Sequence, residues 1–441
     1  MIGYEPVIKV ALLQNYRQYK ITLNGDYRLP GGKPIKGLLK ISSVPGQVIL
    51  SDSSGNQLAG AKEIKIAAQE NSTFTVEVKI GIDFHWQRIQ TQTFNGSIIL
   101  QANSDASSSL VNEIPLEDYI GSVISSEMSA QAPLEFLKAQ AITARSWLIA
   151  MLERKKRNTG VAPMASTDKD EIIRWHDTND HSAFDVCADD HCQRYQGITR
   201  ITSANVAAAV GFTRGVYLVA DNNICDARYY KSCGGRTEIF STAWEDKNFP
   251  FLQSISDNAQ SLPLLHSEED VHNWLTGSPP AYCNTQNQEL LSGILPSFDR
   301  ETMNFYRWQV IYSREELEKI LYKKSGIDFG TLRNLIPLER GPSGRISKLK
   351  IEGTKRAVVV GKELEIRRWL SPSHLLSSAF VVSTKKSNAG DIERFTLHGG
   401  GWGHGVGLCQ IGAAVMAKKG FSAEEILAHY FAGAGLQKLY E

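Results

Sequence analysis

Residues 114–153 read IPLEDYIGSVISSEMSAQAPLEFLKAQAITARSWLIAMLE, and the rest of the chain is organised around this stretch. Its pattern predicts a short helix from Leu116 to Val123, a turn that carries Glu127, and a long helix that begins at Pro133. Proline suits a first helical turn because its missing N–H is not needed there. Apolar residues then recur at steps of three and four, which predicts a stripe that packs into a core. That stripe consists of Leu134, Leu137, Ala141, Ala144, Leu148 and Met151.

Two cations lie on one side of the predicted long helix. Lys138 and Arg145 are two helical turns apart and flank the apolar stripe. With Glu127 just before the helix, they indicate the edge of a functional site. The alternative is that both are solvated surface side chains, which is common for lysine and arginine.

Length and composition are those of an ordinary globular protein. A chain of 441 residues is long enough for two or three domains, and 42% hydrophobic and 22% charged residues are typical values. A net charge of +1 gives no electrostatic reason to expect a nucleic acid or an anionic membrane as a partner. No apolar run approaches the roughly 20 residues of a membrane span. The first ten residues do not show the basic and apolar segments of a signal peptide.

The N-terminal region, residues 1–112, is predicted to be all β. Its short strand-forming segments are separated by turn signals such as Asn24-Gly25 and Ser54-Gly55-Asn56. Residues 73–81 alternate between apolar and polar side chains, which predicts a half-buried antiparallel strand. Because this region carries no catalytic constellation, we expect a scaffold or a binding module.

Histidine and cysteine cluster in the middle of the chain. Residues 155–180 are polar and predict an exposed loop, and four metal-ligand types follow within twelve residues. These are His181, Cys187, His191 and Cys192. Such a set suits tetrahedral zinc, although its spacing matches no common zinc finger. The alternatives are a Cys187–Cys192 disulfide, or two unrelated histidines beside buried thiols.

A predicted strand near residue 230 breaks into Ser232-Cys233-Gly234-Gly235. Glycines at such a position indicate a close approach of the backbone to a ligand or to another element. Covalent catalysis by Ser232 or Cys233 is disfavoured, because no partner histidine or aspartate can be placed and the nucleophile-elbow pattern is absent.

Residues 250–340 are predicted to form a helical insertion. A capping box that opens at Ser313 precedes one of its helices. Cys283 lies in a polar loop of this insertion, and a disulfide to Cys225 or to Cys233 is an open alternative.

The C-terminal region, residues 341–441, contains the glycine-rich segment HGGGWGHGVGLCQIGA at 398–413. This segment fits neither a phosphate-binding loop nor the dinucleotide fingerprint. It predicts an exposed loop that presents His404 and Gln410 at a helix start, and a further helix opens with a capping box at Ser422. The alternative for His404 is a packed side chain without a catalytic role.

Five motifs of this chain resemble, in the same order, those of the SpoIID/LytB family, named for the stage II sporulation protein D and the amidase enhancer. They are Pro115-Leu-Glu-Asp-Tyr, Ser126-Glu127-Met128, Leu137-Lys-Ala-Gln-Ala-Ile-Thr-Ala-Arg145, Ser232-x-Gly234-Gly235-x-Thr237 and Gly403-His-Gly-Val-Gly-x-x-Gln410-x-Gly-Ala. The resemblance covers about residues 110–240 and 340–435. It implies an α+β fold whose mixed, multi-lobed core spans 113–249 and 341–441. One departure is Ser129, where the family's Glu-Met-Pro has proline.

The resemblance implies a lytic transglycosylase that cleaves the MurNAc–GlcNAc bond of peptidoglycan without water and leaves a 1,6-anhydro end. Glycan strands already stripped of their stem peptides are the expected substrate. Glu127 matches the family's catalytic glutamate, and Lys138 and Arg145 match basic positions on the next helix. The zinc ligands of the family's sporulation enzymes map onto the four His and Cys residues named above. Matching motif positions predict substrate contacts by Ser232, Thr237, His404 and Gln410.

A single carboxylate is enough for this reaction. Hydrolytic glycosidases need two carboxyl groups, whereas here the sugar's own 6-hydroxyl is the nucleophile. Glu127 then acts first as the acid and afterwards as the base, so we predict a desolvating pocket that raises its pKa. Because Lys138 or Arg145 beside it would favour the charged form, we assign these cations to the substrate's lactyl carboxylate or to support of the helix.

Two other functions stay open at this point. The chain could be a non-catalytic, glycan-binding enhancer of a cell-wall amidase, or a metal-dependent hydrolase that uses His181 and His191. A closed set of four zinc ligands favours a structural metal that shapes the cleft. A cell-wall substrate implies an extracytoplasmic location, and we therefore expect that a signal segment has been removed from this sequence.

Overall fold

The computed structural model describes residues 3–81, 87–157, 165–168, 170–176, 181–189, 191–296, 299–300 and 304–441. These residues form two units. Unit 1 comprises the described parts of Met1–Ala141, Thr178–Val216 and Lys438–Glu441, and unit 2 comprises those of Ile142–Asp177 and Tyr217–Gln437. Both helices and strands are abundant, which confirms the predicted α+β class.

The N-terminal region folds into ten strands. Strands β1 to β10 are Val7–Tyr16, Gln18–Arg28, Pro34–Val44, Gln47–Ser51, Gln57–Ala61, Glu63–Ala68, Thr73–Ile80, Arg88–Asn95, Ser97–Ala102 and Ser108–Pro115. The described residues before 113 contain no helix, as predicted. In β7 the buried side chains alternate with less buried ones, which confirms the half-buried strand.

Both helices of the organising stretch are present. Helix α1 spans Leu116–Glu127 and α2 spans Leu134–Arg157. Glu127 is the last residue of α1 and not part of a turn, so the predicted helix end at Val123 was wrong. Ile124 is fully buried, which continues the apolar face of α1 by another turn. In α2 the predicted stripe is buried from Leu137 to Met151, which confirms its place in a core.

The remaining elements follow in chain order. Those up to residue 243 are β11 Ala165–Thr167, β12 Glu171–Arg174, β13 Val186–Cys187, α3 Ala204–Phe212, β14 Val216–Ala220, β15 Asn223–Ile224, β16 Tyr229–Tyr230 and α4 Phe240–Ala243. The next group is α5 Glu268–Thr276, α6 Gln288–Ile294, β17 Arg307–Ser313, α7 Arg314–Ser325, β18 Leu332–Arg340, β19 Ile346–Gly353 and β20 Ala357–Gly361. The last group is α8 Glu363–Trp369, β21 Phe380–Lys386, β22 Ile392–Gly400, β23 Leu408–Cys409, α9 Gln410–Lys418, α10 Ala423–Tyr430 and β24 Gly435–Lys438.

The large sheet of unit 1 contains the strand that leads into α1 and the strand that carries Cys187. Its strand order is β13-β1-β10-β9-β6-β2-β3-β4-β5, with β7 paired to β2 and β8 paired to β7. Strand β10 leads directly into α1, and β13 joins the sheet through parallel pairing of Cys187 with Ala11 of β1. The sheet of the N-terminal β region therefore positions both the start of α1, which follows β10, and Cys187, which lies on β13.

Unit 2 contains a five-stranded sheet of order β11-β12-β20-β19-β18 and a three-stranded sheet of order β17-β22-β21. Leu317 of α7 and Trp369 of α8 are buried in an apolar cluster with residues of these sheets. Strands β11 and β12 fall in residues 155–180, so the predicted exposed loop was wrong there. Strand β12, Glu171–Arg174, pairs in parallel with β20. Because β20 lies almost two hundred residues further along the chain, no local sequence pattern predicts this pairing.

The predicted capping boxes of the later helices are confirmed. Ser313 caps α7 and Ser422 caps α10, each by accepting a hydrogen bond from the backbone N–H three residues on. Among the described residues, no helix combines the length and the apolar composition that crossing a membrane requires.

Candidate functional site

Glu127 lies at the end of α1 and is partly buried. Its Oε1 atom accepts a hydrogen bond of 3.0 Å from the backbone N–H of Arg194. A backbone donor cannot rotate away as a side chain can, so this bond fixes the place of the carboxyl group. The donor belongs to the short segment that follows Cys192 in the chain.

That segment is joined to α1 at three successive turns of the helix. The three hydrogen bonds run from Arg194 N to Glu127 Oε1 (3.0 Å), from Gln196 N to Ser122 Oγ (3.2 Å) and from Tyr119 Oη to Gln193 Oε1 (3.1 Å). The ring of Tyr119 stacks on that of Tyr195, with centroids 5.2 Å apart. Burial, together with the negative groups of Cys192 and Cys187, raises the pKa of Tyr119 well above its usual value. Tyr119 therefore remains a neutral hydrogen-bond donor.

The four predicted zinc ligands come together in unit 1. Their ligand atoms all lie within 4.8 Å of one another. Cys192 Sγ is 3.3 Å from His181 Nε2 and 3.6 Å from His191 Nδ1, and the latter is 4.0 Å from Cys187 Sγ. Tetrahedral zinc with bonds of about 2.0–2.3 Å needs donor atoms about 3.3–3.8 Å apart. The donor set and its spacing therefore fit one zinc ion.

The thiolate form of Cys187 is favoured in this cluster. The hydrogen bond from Cys192 holds the pKa of the Cys187 thiol well below its usual value. A thiolate is the form of cysteine that binds a metal. All six cysteines of the chain are free, so both disulfide alternatives were wrong in this structure: Cys187 with Cys192, and Cys283 with Cys225 or Cys233.

The two cations of α2 have different environments. In unit 1, Lys138 forms an ion pair with Glu135 at 2.6 Å, and its ammonium group is 4.8 Å from the ring centroid of Phe212. In unit 2, Arg145 is fully buried, with its guanidinium 6.0 Å from the ring centroid of Tyr217. The interpretation of both cations as solvated surface side chains was therefore wrong for Arg145.

His404 in unit 2 is partly buried between two aromatic rings. Its ring centroid is 5.3 Å from that of Tyr230 and 4.8 Å from that of Trp244. Burial, with a further contribution from Arg228, holds the pKa of His404 well below its usual value. Its Nδ1 accepts a hydrogen bond of 3.1 Å from Val406 N–H, so Nε2 carries the proton of the neutral ring. His404 is therefore a neutral ring that is also hydrogen-bonded to the backbone of Tyr229.

The other predicted substrate contacts are deeply buried in unit 2. Ser232, Thr237 and Gln410 are each at most 1% exposed. Backbone groups of Ser232 pair with those of Trp402 at 3.1 and 2.7 Å, which joins two of the family-like motifs. Thr237 Oγ1 donates to the carbonyl of Gln253 at 2.8 Å. Glycan binding by these three side chains stays a prediction.

Sequence reasoning missed a buried arginine that supports the glycine-rich loop. Arg345 is fully buried and donates to the carbonyls of Gly403 and Cys233 at 3.1 and 3.3 Å. A Cβ on Gly405 would lie 2.6 Å from this guanidinium, so glycine is required there. Arg194 was missed as well, because it acts through its backbone N–H, which every residue but proline has.

Two family models match separate parts of the chain. The model described as stage II sporulation protein matches residues 104–219, which include Glu127 and the His/Cys cluster. A model described as a domain of unknown function, DUF8618, matches residues 238–407.

Three relatives are similar to the chain at low identity. Stage II sporulation protein D of Bacillus amyloliquefaciens is 25% identical over 74% of this chain and 76% of its own length. An uncharacterised protein of Brachyspira hyodysenteriae is 25% identical over 98% of this chain and 92% of its own length. The amidase enhancer of Bacillus subtilis is 26% identical over 71% of this chain but only 39% of its own length.

Proposed function

Because the chain belongs to the SpoIID/LytB family, we propose that it is a lytic transglycosylase acting on peptidoglycan. It cleaves the MurNAc–GlcNAc bond of glycan strands stripped of their stem peptides and leaves a 1,6-anhydroMurNAc end. The observation that carries the proposal is the placement of Glu127. Its carboxyl group ends α1 and is held by Arg194 N–H, two residues after the ligand-type residue Cys192.

Glu127 supplies both proton transfers of the reaction. As an acid it protonates the glycosidic oxygen while that bond breaks, and as a base it accepts the proton of the 6-hydroxyl that attacks C1. No second carboxylate is needed, because the nucleophile belongs to the substrate. The raised pKa that the acid step requires of Glu127 stays a prediction.

The His/Cys cluster acts as a support for this carboxyl group. Zinc bound there would supply a closed, four-ligand cross-link between β13 and the turn at His191. The chain's own residues then do the positioning, because Arg194 and Gln196 follow the ligands directly and donate to α1.

Of the two cations of α2, only Lys138 is assigned to the glycan. The burial of Arg145 favours support of α2 over contact with the lactyl carboxylate, of the two roles that the sequence left open. Lys138 remains on the more accessible part of α2 for an acidic substrate group. His404 in unit 2 is a separate candidate for glycan contact. A peptidoglycan substrate places the protein outside the cytoplasm.

Product analysis tests the proposal. Wild type and the Glu127→Gln variant are incubated with intact peptidoglycan and with amidase-stripped glycan, and the fragments are identified by mass spectrometry. We expect anhydro-ended fragments from stripped strands with wild type only. Fragments with reducing ends, or unchanged activity of the variant, would refute the mechanism.

A second function is favoured by one comparison. The relative named amidase enhancer covers 71% of this chain, so an enhancer that binds glycan or a cell-wall amidase without cleaving glycan itself is the main rival. No fragments from either substrate, together with retained binding of glycan strands and faster cleavage by an added amidase, would support the rival. A hydrolase that uses His181 and His191 is disfavoured, because a closed four-ligand set has no position for a catalytic water.

A further inference from the structure

Unit 2 contains a second cluster of metal-ligand side chains that no sequence motif indicates. Its members are Cys233, Asp257, Cys283 and Cys409, and all four are buried. One ligand atom from each lies within 4.8 Å of all the others. We propose that these four residues bind a single zinc ion, in addition to the His/Cys site of unit 1.

The distances favour one ion rather than a larger metal cluster. Two donors of one zinc ion with bonds of about 2.3 Å cannot lie more than about 4.6 Å apart, and tetrahedral donors lie about 3.8 Å apart. The pair Cys233 Sγ and Cys283 Sγ is separated by 3.4 Å. Three sulfur donors and one carboxylate are ligands that zinc accepts, and the set leaves no open position.

Hydrogen bonds orient the donors as they do in metal–thiolate sites. Backbone N–H groups of Gly235 and Cys233 point at the sulfur atoms of Cys233 and Cys409, both at 3.3 Å. Asp257 Oδ2 accepts from Cys283 N–H at 2.8 Å, and Oδ1 accepts from the Tyr430 hydroxyl at 2.5 Å. Each carboxylate oxygen has two acceptor positions, so one remains on each oxygen for a metal. Such outer hydrogen bonds fix ligand orientation.

Burial makes this cluster a favourable place for a divalent cation. Thiolates and a carboxylate are costly in a buried interior unless a counter-charge lies close to them. A divalent cation supplies that charge at the centre of the cluster. Access exists on one side, because a pocket lined by Asn284, Tyr306 and Ile411 reaches Cys283.

The consequence is a cross-link between segments that are far apart in the chain. Cys233 and Cys409 are separated by 176 positions, and each is adjacent to a predicted substrate-contact residue, Ser232 or Gln410. Asp257 and Cys283 come from the loops between α4 and α6. The ion would therefore join both family-like motifs of unit 2 to the insertion, and folding would depend on metal binding.

Metal analysis of the purified full chain tests this proposal. The chain is loaded with Zn²⁺, passed over a desalting column and measured by elemental analysis. We expect two zinc ions per chain for wild type and one for Cys283→Ala. One ion is also expected for Cys192→Ala, which removes a ligand of unit 1, and none for the double variant. Cys225→Ala is the matched control, because Cys225 is buried but belongs to neither cluster, and it should keep both ions.

A measurement on wild type covers the case in which the Cys283 variant does not fold. X-ray absorption at the zinc edge should report five sulfur donors for every three nitrogen or oxygen donors, averaged over both ions. A single ion with equal numbers of sulfur and nitrogen donors would overturn the proposal. A Cys233–Cys283 disulfide in non-reducing peptide mapping, or iron in place of zinc, would overturn it as well. None of these readouts depends on glycan cleavage, so failure here and failure of the proposed activity are distinguishable.

Discussion

Replacing Glu127 by alanine or by glutamine separates its chemical role from its structural one. Both variants remove the acid and base, so both should lose about 10²–10⁴-fold in glycan cleavage. Only alanine also leaves the N–H of Arg194 without its carboxylate acceptor, in a residue that is 7% exposed. An unsatisfied buried donor costs about 1–3 kcal/mol. The amide oxygen of glutamine can still accept this hydrogen bond, so its stability should stay within about 1 kcal/mol of wild type.

Thermal unfolding and hydrogen exchange measure this difference. For a unit the size of unit 1, about 1–3 kcal/mol corresponds to a fall in Tm of roughly 2–12 °C, which we expect for Glu127→Ala. The amide of Arg194 should exchange faster in Glu127→Ala and at the wild-type rate in Glu127→Gln. Equal Tm and equal protection of Arg194 in both variants would show that the carboxyl group is not held by this bond.

Three further predictions concern both units. Burial raises the pKa of Glu365, but its hydrogen-bonded and charged partners lower that pKa to about 2. The contribution of Glu365 to folding stability is therefore complete above its unfolded pKa and is lost as pH falls from about 4.5 to 2. In wild type, this change removes up to about 3 kcal/mol from the free energy of unfolding as pH falls, and Glu365→Gln should lack that loss. The same dependence of unfolding free energy on pH in the variant and in wild type would contradict this. Gly407→Ala places a Cβ 2.2 Å from a backbone carbonyl and should destabilise by more than about 3 kcal/mol in denaturant unfolding. Gly420→Ala, with similar backbone geometry but open space, should cost only about 1–2 kcal/mol, and equal losses would refute the steric explanation. Cys192→Ser should lower glycan cleavage while leaving the Tm of unit 2 unchanged. Full glycan cleavage by the metal-free wild type would exclude a supporting role for the His/Cys cluster of unit 1.

Local features of the fold were predictable because their causes lie within a few residues. The capping boxes at Ser313 and Ser422 each need one hydroxyl and one acidic side chain three positions on. The strand at Thr73–Ile80 needs only alternation of apolar and polar residues. The His/Cys set of unit 1 was visible because all its members lie within twelve residues.

Features made by distant segments were not predictable in this way. Strand β12 is recognisable only by its pairing with β20, and the end of α1 at Glu127 depends on burial that extends past the predicted turn. The cluster of Cys233, Asp257 and Cys409 with Cys283 brings together four segments, and its spacing along the chain resembles no metal motif. The sequence alone indicates no role for Cys283 beyond a disulfide partner.

The sequence by itself determined the residue types that carry the chemistry: one glutamate before a long helix, a local set of histidines and cysteines, and the order of the family-like motifs. These depend on side-chain identity and short-range spacing, which the linear chain contains in full. Only the tertiary structure decided that Arg194 N–H holds Glu127, that Arg145 is buried, and that three cysteines surround Asp257. Such contacts join residues tens to hundreds of positions apart, and their distances are set by how the sheets and helices pack, which no local pattern records.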